Sequence, residues 1–240
     1  MSQAGVRRRQ NQDQAFVDSN TRYFIVADGV SSSPGGAIAS SVAVNAVSRM
    51  LGPQIGQVQN TAELTSLLGG AIRDANQQIL NISAADKRLA KMATTIVIAA
   101  ISDRSISVAN VGDARAYAVV DGQISLLSHD HSAATDLIRH HLLRKDQLRE
   151  HPFRNIITRS LGGTRDPEPF VRSLDLNQVS SLLLCTDGIW AVLDDVELFR
   201  EMNRASTLED RCAGIIGNAL RHGSDDDLTC VLVDNHTNLS

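Results

Sequence analysis

The stretch YFIVADGVSSSPGG, residues 23–36, carries an apolar run into an Asp-Gly turn and a loop of small residues. An uninterrupted apolar run that ends in turn residues is typical of a strand buried on both faces. Asp28 and Gly29 end this strand, and the amphipathic stretch AIASSVAVNAVSRML follows at residues 37–51. The sequence therefore predicts a buried strand, a turn and a helix, with a carboxylate where the strand ends.

Two helices are predicted after this strand. In the first, Ile38, Val42, Ala46 and Met50 recur at every fourth position and are expected to form the buried stripe. The second covers residues 61–80 and is expected to have Thr61 as its N-cap. Its apolar side chains fit the helical period and are Leu64, Leu67, Leu68, Ala71, Ile72, Ala75 and Ile79.

Short apolar runs rich in β-branched residues predict the rest of the sheet structure. Before the opening strand, residues 14–19 are expected to pair with residues 22–28 through a turn around Asn20. Short connections between the central runs favour antiparallel pairing. The further runs are ATTIVIAAI (93–101), SISVANV (105–111), ARAYAVV (114–120), QISLLS (123–128), SLLLCTD (181–187) and LTCVLV (228–233).

The remaining segments are predicted to be helical. Residues 132–160 are polar and mostly helical, as expected of a surface insertion, and residues 195–221 predict one or two helices. Helices grouped before and after a block of strands indicate an α+β fold. Because the chain has no repeat, low-complexity tract or long linker, we expect residues 1–240 to form one domain.

The composition of the chain excludes several classes of protein. A formal charge of −4 argues against a nucleic-acid binder, which usually presents a basic face. No run approaches the roughly 18 apolar residues of a membrane span, and the N-terminus lacks the apolar region of a secretory signal. Cys185, Cys212 and Cys230 form no CxxC motif and lie in apolar stretches. We therefore expect buried free thiols and a cytoplasmic protein.

Four acidic residues share a position relative to the predicted strands. Asp28, Asp113 and Asp187 follow apolar strands, and Asp226 lies just before one. In an antiparallel sheet the end of one strand lies beside the start of its neighbour, so these residues can meet on one rim. Each alone is equally compatible with a simple turn. Together they would repel one another, and a hard cation such as Mg²⁺ or Mn²⁺ would relieve that repulsion.

Arg8 is a candidate ligand for an anionic substrate. A guanidinium can hold a phosphate through two parallel hydrogen bonds. Its neighbours Arg7 and Arg9 are interpreted as solvated basic side chains.

Taken in chain order, eight motifs resemble the PPM family, the PP2C-type metal-dependent protein serine/threonine phosphatases, in its bacterial form. Each motif alone is weak, but eight in the family's order are specific. They are RRQNQD (8–13), VADGVSSSPGGAIAS (26–40), ATTIVIA (93–99), NVGDARAY (110–117), SHDHS (128–132), HPFRNIITRSLG (151–162), LLLCTDGIW (182–190) and GSDDDLT (223–229).

The resemblance implies a four-layer α-β-β-α sandwich, in which two antiparallel sheets are flanked by helices. It further implies two Mn²⁺ or Mg²⁺ ions, and a weaker third, and hydrolysis by a metal-bridging water without a covalent intermediate. Residues 132–160 would be the flap. The implied site residues are Arg8 for the substrate phosphate, Asp13 as catalytic support, Asp28, the Gly29 carbonyl, Asp187 and Asp226 for two metals, and Asp113 for the third.

The sequence departs from the family pattern at three places. Val30 stands where relatives carry His or Met, and Val cannot donate a proton. Ser31, Ser32 and Ser33 replace a Gly-Gly-His, which puts the shape of the metal-flanking loop in question. Ala191 stands where an acidic residue often assists the third metal.

Other classes of phosphatase lack support in the sequence. The position six residues beyond each cysteine holds Ala191, Asn218 or His236, so the Cys-x5-Arg motif is absent. No Gly-Lys-Ser/Thr P-loop occurs. The remaining alternative is a catalytically weak or inactive pseudophosphatase that acts as a regulatory binding module. For an active enzyme, we expect a monomer acting on a phosphorylated protein, such as a Ser/Thr kinase or its target.

Overall fold

The computed structural model describes residues 1–6, 8 and 10–235. Its strands are β1 Ser2–Gln3, β2 Asp13–Asp18, β3 Tyr23–Asp28, β4 Ile96–Ile101, β5 Ser105–Val111, β6 Arg115–Val120, β7 Gln123–Leu126, β8 Phe170–Asp175, β9 Val179–Cys185 and β10 Leu228–Asp234. Its α-helices are α1 Gly36–Gln54, α2 Thr61–Ala85, α3 Ala133–Arg139, α4 Asp187–Trp190, α5 Asp195–Met202 and α6 Leu208–Arg221.

The strands form two sheets. Sheet A has the order β2-β3-β4-β5-β8, and sheet B has the order β1-β10-β9-β6-β7. Every pairing within them is antiparallel. The predicted α+β class with two antiparallel sheets is confirmed, and so is the β2–β3 hairpin.

Three apolar layers hold the sheets and helices together. One lies between sheet A and helices α1 and α2, a second lies between the sheets, and a third lies between sheet B and helices α4 to α6. The sequence of strand β3 is almost entirely apolar because its side chains enter two of these layers. Ile25 and Ala27 face the helices, whereas Phe24 and Val26 face sheet B. The molecule therefore has the predicted α-β-β-α layers.

Helix α1 fully buries only one position of the predicted stripe, Ala46, which is 2% exposed. Ile38 is 43% exposed, and the most deeply buried positions include Ala39, Ala43, Val47 and Leu51. Each predicted position precedes one of these buried residues by one place, which is about 100° around the helix. The face that packs on sheet A is therefore offset from the predicted stripe by about one residue.

Helix α2 buries the predicted face but has a different N-cap. Asn60 has an extended backbone, with φ −152° and ψ 165°, and its side chain accepts a hydrogen bond from the Glu63 amide. Thr61 is already the first helical residue, and its hydroxyl bonds the Ser105 hydroxyl instead. The prediction of Thr61 as the cap was wrong by one residue.

The C-terminal half completes sheet B and its helical cover. Residues 195–221 form two helices, α5 and α6, joined by a short turn. Within residues 132–160 the structure has α3 and a 3-10 helix at Lys145–Glu150. The three cysteines are free and buried, as predicted. In the part of the chain described, no helix is long and apolar enough to cross a membrane.

Candidate active site

The two sheets each bring acidic residues to one rim of the sandwich. In sheet A, Asp28 ends β3 and Asp113 follows β5, whereas Asp187 follows β9 and Asp226 precedes β10 in sheet B. A cavity of about 540 Å³ opens at this rim. Its lining comprises Arg8, Asp28, Val30, Ser31, Ser32, Thr95, Asn155, Ile156, Ile157, Ser160, Asp187 and Asp226. Three of the four acidic residues, Asp28, Asp187 and Asp226, therefore meet at one cavity, whereas Asp113 is not part of its lining.

Asp28 and Asp187 interact directly within the cavity. Their carboxyl groups lie within hydrogen-bond reach of each other. Burial, followed by repulsion from Asp187, Asp13 and Asp113, raises the pKa of Asp28 well above its usual value. Burial and repulsion from Asp226 raise the pKa of Asp187 to about 6. Each carboxyl group of the pair is therefore easier to protonate than a free aspartate.

Asp13 lies beneath this pair. It is the cross-strand partner of Asp28 and is only 3% exposed. Its Oδ2 accepts a hydrogen bond of 2.9 Å from the Thr186 hydroxyl, while its Oδ1 is buried with no hydrogen-bond partner among the described residues. Burial is the main cause that raises the pKa of Asp13 to about 7, and Asp187 and Asp227 add to it.

Asp113 lies in a loop that several side chains hold in place. Gly112, with φ 92°, donates its amide to His131 Nδ1 at 3.1 Å and accepts the His131 amide at 3.0 Å. The Trp190 indole donates to the Asp113 carbonyl at 2.9 Å. Asp113 is 1% exposed, and its Oδ1 lacks a partner within the described residues. Burial, then repulsion from Asp187 and Asp130, raises the pKa of Asp113 well above its usual value.

His131 and Asp130 have structural roles beside the Asp113 loop. Burial lowers the pKa of His131 to about 4, with Arg159 and His129 adding to the effect. Neutral His131 can therefore accept the Gly112 amide. Asp130 pairs with Arg115, whose guanidinium lies 3.6 Å from the centre of the Trp190 ring. This stack fixes the tryptophan that bonds the Asp113 loop.

Arg8 reaches the cavity from the N-terminal segment. Its guanidinium forms an ion pair with Asp226. Partial burial lowers the pKa of Arg8, but attraction to Asp226, Asp227 and Asp28 outweighs that effect and raises it. The guanidinium is therefore placed beside the carboxylates with which it is predicted to share the substrate. Arg7 and Arg9 lie outside the described residues.

Gly29 occupies a tight position after Asp28. Its amide donates to the Gln12 carbonyl at 3.1 Å, and a Cβ at this residue would lie 2.5 Å from the backbone of Gly36. Any side chain here would separate the Asp28 turn from helix α1. The Asp28 carbonyl accepts hydrogen bonds from the Thr94 hydroxyl and the Thr95 amide, at 2.7 and 2.8 Å.

The unusual loop at residues 30–33 closes on itself. The Ser33 amide and hydroxyl both donate to the Val30 carbonyl, at 3.0 and 2.9 Å. The Val30 amide donates to the Ala93 carbonyl at 2.9 Å. The serine hydroxyl thus closes a turn, and Gly35, with φ 80°, precedes the first residue of α1. The loop is ordered by its own hydrogen bonds and still borders the cavity.

The acidic side chains meet in pairs and do not form a closed cage. Over residues 1–6, 8 and 10–235, no group of three or more His, Cys, Asp or Glu side chains is arranged to hold a metal ion. The sequence interpretation assigned no role to Thr94, Thr186 and Asp227. Thr94 and Thr186 bond Asp28 and Asp13, whereas Asp227 accepts backbone amides of the N-terminal segment. Thr94 and Thr186 lie within quoted motifs, so their positions were indicated although their contacts were not.

Comparisons with known proteins agree with this architecture. A sequence model of the family Protein phosphatase 2C matches residues 5–218. The serine/threonine phosphatase stp of Listeria monocytogenes serotype 4b is 29% identical over 232 residues, which are 95% of this chain and 91% of that protein.

Solved structures have the same fold. The crystal structure of the serine/threonine phosphatase Stp1 from Staphylococcus aureus has a TM-score of 0.88 and 27% identity, over 98% of this chain and 93% of that one. The catalytic domain of the serine/threonine protein phosphatase PstP, solved with two manganese ions, has a TM-score of 0.83 and 22% identity, over 98% and 95% of the two chains. The sequence match covers most of the chain, and the resemblance seen in its motifs is confirmed: the chain belongs to the protein phosphatase 2C family.

Proposed function

We propose that this protein hydrolyses phosphoserine and phosphothreonine in other proteins with the help of divalent cations. One observation carries the proposal: Arg8 lines the same cavity as Asp28, Asp187 and Asp226. A guanidinium beside a rim of carboxylates suits a phosphate bound through cations. The related proteins from Listeria and Staphylococcus, which are named serine/threonine phosphatases, support this substrate class.

The acidic rim has the chemistry of a site for hard cations. Its donors are oxygens, and the pKa values of Asp28 and Asp187 are raised because buried like charges meet. Asp13 and Asp113 each keep a buried oxygen without a partner in the described part of the chain. Mg²⁺ and Mn²⁺ retain several waters, so pairs of carboxylates suffice and a closed protein cage is not needed.

We assign the residues as follows. Asp28, the Gly29 carbonyl, Asp187 and Asp226 would hold two Mn²⁺ or Mg²⁺ ions, Asp13 would support them, and Asp113 would hold a third and weaker ion. Ala191 adds no carboxylate to that third site. The two manganese ions bound to the PstP catalytic domain are in keeping with this number of ions.

When bound, the two ions would neutralise the rim and supply an acidified water that attacks phosphorus without a covalent enzyme intermediate. Arg8 would hold the non-reacting phosphate oxygens and stabilise the charge that develops on them. Asp13 is fixed by Thr186 and would keep Asp28 in place from the neighbouring strand. Val30 has no proton to give, so the serine or threonine leaving group would be protonated from water.

The substrate would approach between two loops. Asn155, Ile156 and Ile157 border the cavity from the segment predicted to be a flap, and Ser31 and Ser32 border it from the other side. We propose that residues 132–160 form this flap in a single domain that spans residues 1–240. One chain supplies every assigned residue, which suits a monomer acting on a phosphorylated kinase or its target.

A catalytically weak pseudophosphatase is the second candidate. It is motivated by the loop at Val30 and Ser33, where the Ser33 hydroxyl bonds the Val30 carbonyl at a position that holds His in the family pattern. Against it, each assigned metal position still holds an oxygen donor.

The experiment measures hydrolysis of p-nitrophenyl phosphate and a phosphothreonine peptide with added Mn²⁺. The wild-type protein is expected to turn over both, and chelation is expected to stop it. Asp187→Asn removes one proposed ligand and should lower kcat at least 100-fold, whereas Asp103→Asn, an exposed position far from the rim, should leave it unchanged. Metal-independent or absent turnover would reject the proposed enzyme.

A further inference from the structure

The segment of residues 5–12 carries Arg8 into the cavity. It lies between the short strands β1 and β2. Within the described residues its turn is closed by a single main-chain hydrogen bond, from the Arg8 amide to the Gly5 carbonyl at 3.0 Å. A long, mobile side chain on such a short turn needs an external anchor if its guanidinium is to be aimed at one place.

That anchor is a carboxylate one residue beyond a proposed metal ligand. Asp227 is 3% exposed and accepts the Gly5 amide at Oδ1, 2.9 Å away, and the Gln12 amide at Oδ2, 2.8 Å away. One side chain therefore binds both ends of the segment. A buried carboxylate that accepts two amides makes strong, charge-assisted hydrogen bonds.

Two further contacts tie the segment to the rim. A Cβ at Gly5 would overlap the backbone of Asp225 and Asp226, so the chain passes directly against this turn. At the other end, the Gln12 carbonyl accepts the Gly29 amide at 3.1 Å and the Ser40 hydroxyl at 2.6 Å. The segment thus spans from the Asp226 side of the cavity to the Asp28 side.

We propose that Asp227 is a positioning residue that aims Arg8 by holding both ends of residues 5–12. This inference rests on the proposed function, because Arg8 matters only if phosphate is bound. The family motif that GSDDDLT (223–229) resembles is Gly-Ser-x-Asp-Asn-x-Thr, which has Asn at this place, and an amide has only one acceptor oxygen. The carboxylate can accept both backbone amides, whereas an asparagine would set its own NH₂ against one of them.

The test compares Asp227→Asn with Asp103→Asn, which makes the same chemical change at an exposed, remote turn. Asp227→Asn is expected to lower kcat/KM for p-nitrophenyl phosphate about tenfold, the effect of one lost charge-assisted bond. The Mn²⁺ concentration for half-maximal activity should stay the same. In an Arg8→Ala background, the same change should have less than a twofold effect, because the residue to be aimed is gone.

Hydrogen exchange of the Gly5 and Gln12 amides gives a readout that does not depend on turnover. Both amides should exchange faster in Asp227→Asn, with the melting temperature nearly unchanged. Equal exchange in the two proteins, or a full tenfold loss that persists in Arg8→Ala, would overturn the inference while leaving the proposed function intact. If the wild-type protein shows no turnover, the proposed function fails and the role in catalysis fails with it, whatever the exchange rates.

Discussion

Asp13 and Asp28 lie opposite each other on neighbouring strands, so one strand pair delivers two acids to the same rim. Like charges placed directly across a sheet are destabilising. Neither residue has a basic side chain as a hydrogen-bond partner in the described residues. The molecule therefore keeps an unfavourable arrangement at its rim, as expected where residues are placed for binding.

This arrangement predicts a pH dependence for the metal-free protein. The pKa of Asp13 is raised from 3.8 to about 7, so between these values the folded protein keeps a proton that the unfolded chain releases. Unfolding free energy is therefore lost as the pH rises from about 4 to about 7. Asp13→Asn stays neutral at every pH. With a chelator present, the unfolding free energy of the variant relative to that of the wild type should rise by a few kcal/mol across this pH range.

Urea unfolding of both proteins at a series of pH values from 4 to 8 measures this difference. The difference in unfolding free energy between the two proteins is expected to be smallest near pH 4 and constant above pH 7. A difference in unfolding free energy that does not change with pH would contradict the raised pKa of Asp13.

Single residues differ in how far the sequence alone reveals their roles. Asp28, Asp187 and Asp226 could be predicted to meet because each follows or precedes an apolar strand, and strand ends define a rim. Asp227 lies in the same motif, but its partners are backbone amides more than 200 positions away in the sequence. Backbone groups have no signature in a sequence, so such a contact becomes visible only with the fold.

Helix α2 is the longest element and begins with a well-formed cap. The Asn60 side chain accepts the Glu63 amide at 2.9 Å, and Glu63 returns a contact to the Gln59 amide at 2.9 Å. Asn60→Ala should lower the unfolding free energy by about 1 kcal/mol, since it leaves a first-turn amide without its acceptor. Chemical denaturation followed by circular dichroism measures this change.

Thr61→Ala is the matched control for the cap. It removes the hydroxyl of the neighbouring residue, which forms a 3.2 Å hydrogen bond with the Ser105 hydroxyl. Its effect should be smaller than that of Asn60→Ala. A larger effect would place the cap at Thr61, as the sequence had predicted.

The sequence was enough to predict whether a segment is a helix or a strand. The buried face of a helix could be predicted only where apolar residues are spaced by a mixture of three and four positions. Helix α2 has such spacing, and its predicted stripe is buried. Helix α1 is rich in Ala and Ser, so several stripes look alike in the sequence. Close packing on sheet A selects the one with small residues, Ala39 and Ala43, at the interface.

At the scale of the molecule, the layer between the sheets is the common support of the site. Leu182 on β9 is 1% exposed and belongs to this layer. Leu182→Ala should lower the unfolding free energy by about 2–5 kcal/mol, through lost burial and a cavity. Leu126→Ala, at a position on β7 that is 38% exposed, should cost less than about 1 kcal/mol.

Denaturant titrations of both variants check this prediction. Equal losses would mean that the inter-sheet layer contributes no more than a surface strand.

The division of the rim between the two sheets also determines the width of the site. Asp28 and Asp113 belong to one sheet, and Asp187 and Asp226 to the other. The gap between the two halves of the site is therefore set by the thickness of the apolar layer, which packs sheets about 10 Å apart. Because such interiors yield little to compression, side chains such as Leu182 act as spacers. Their volume therefore fixes the width into which the proposed cations and phosphate would have to fit.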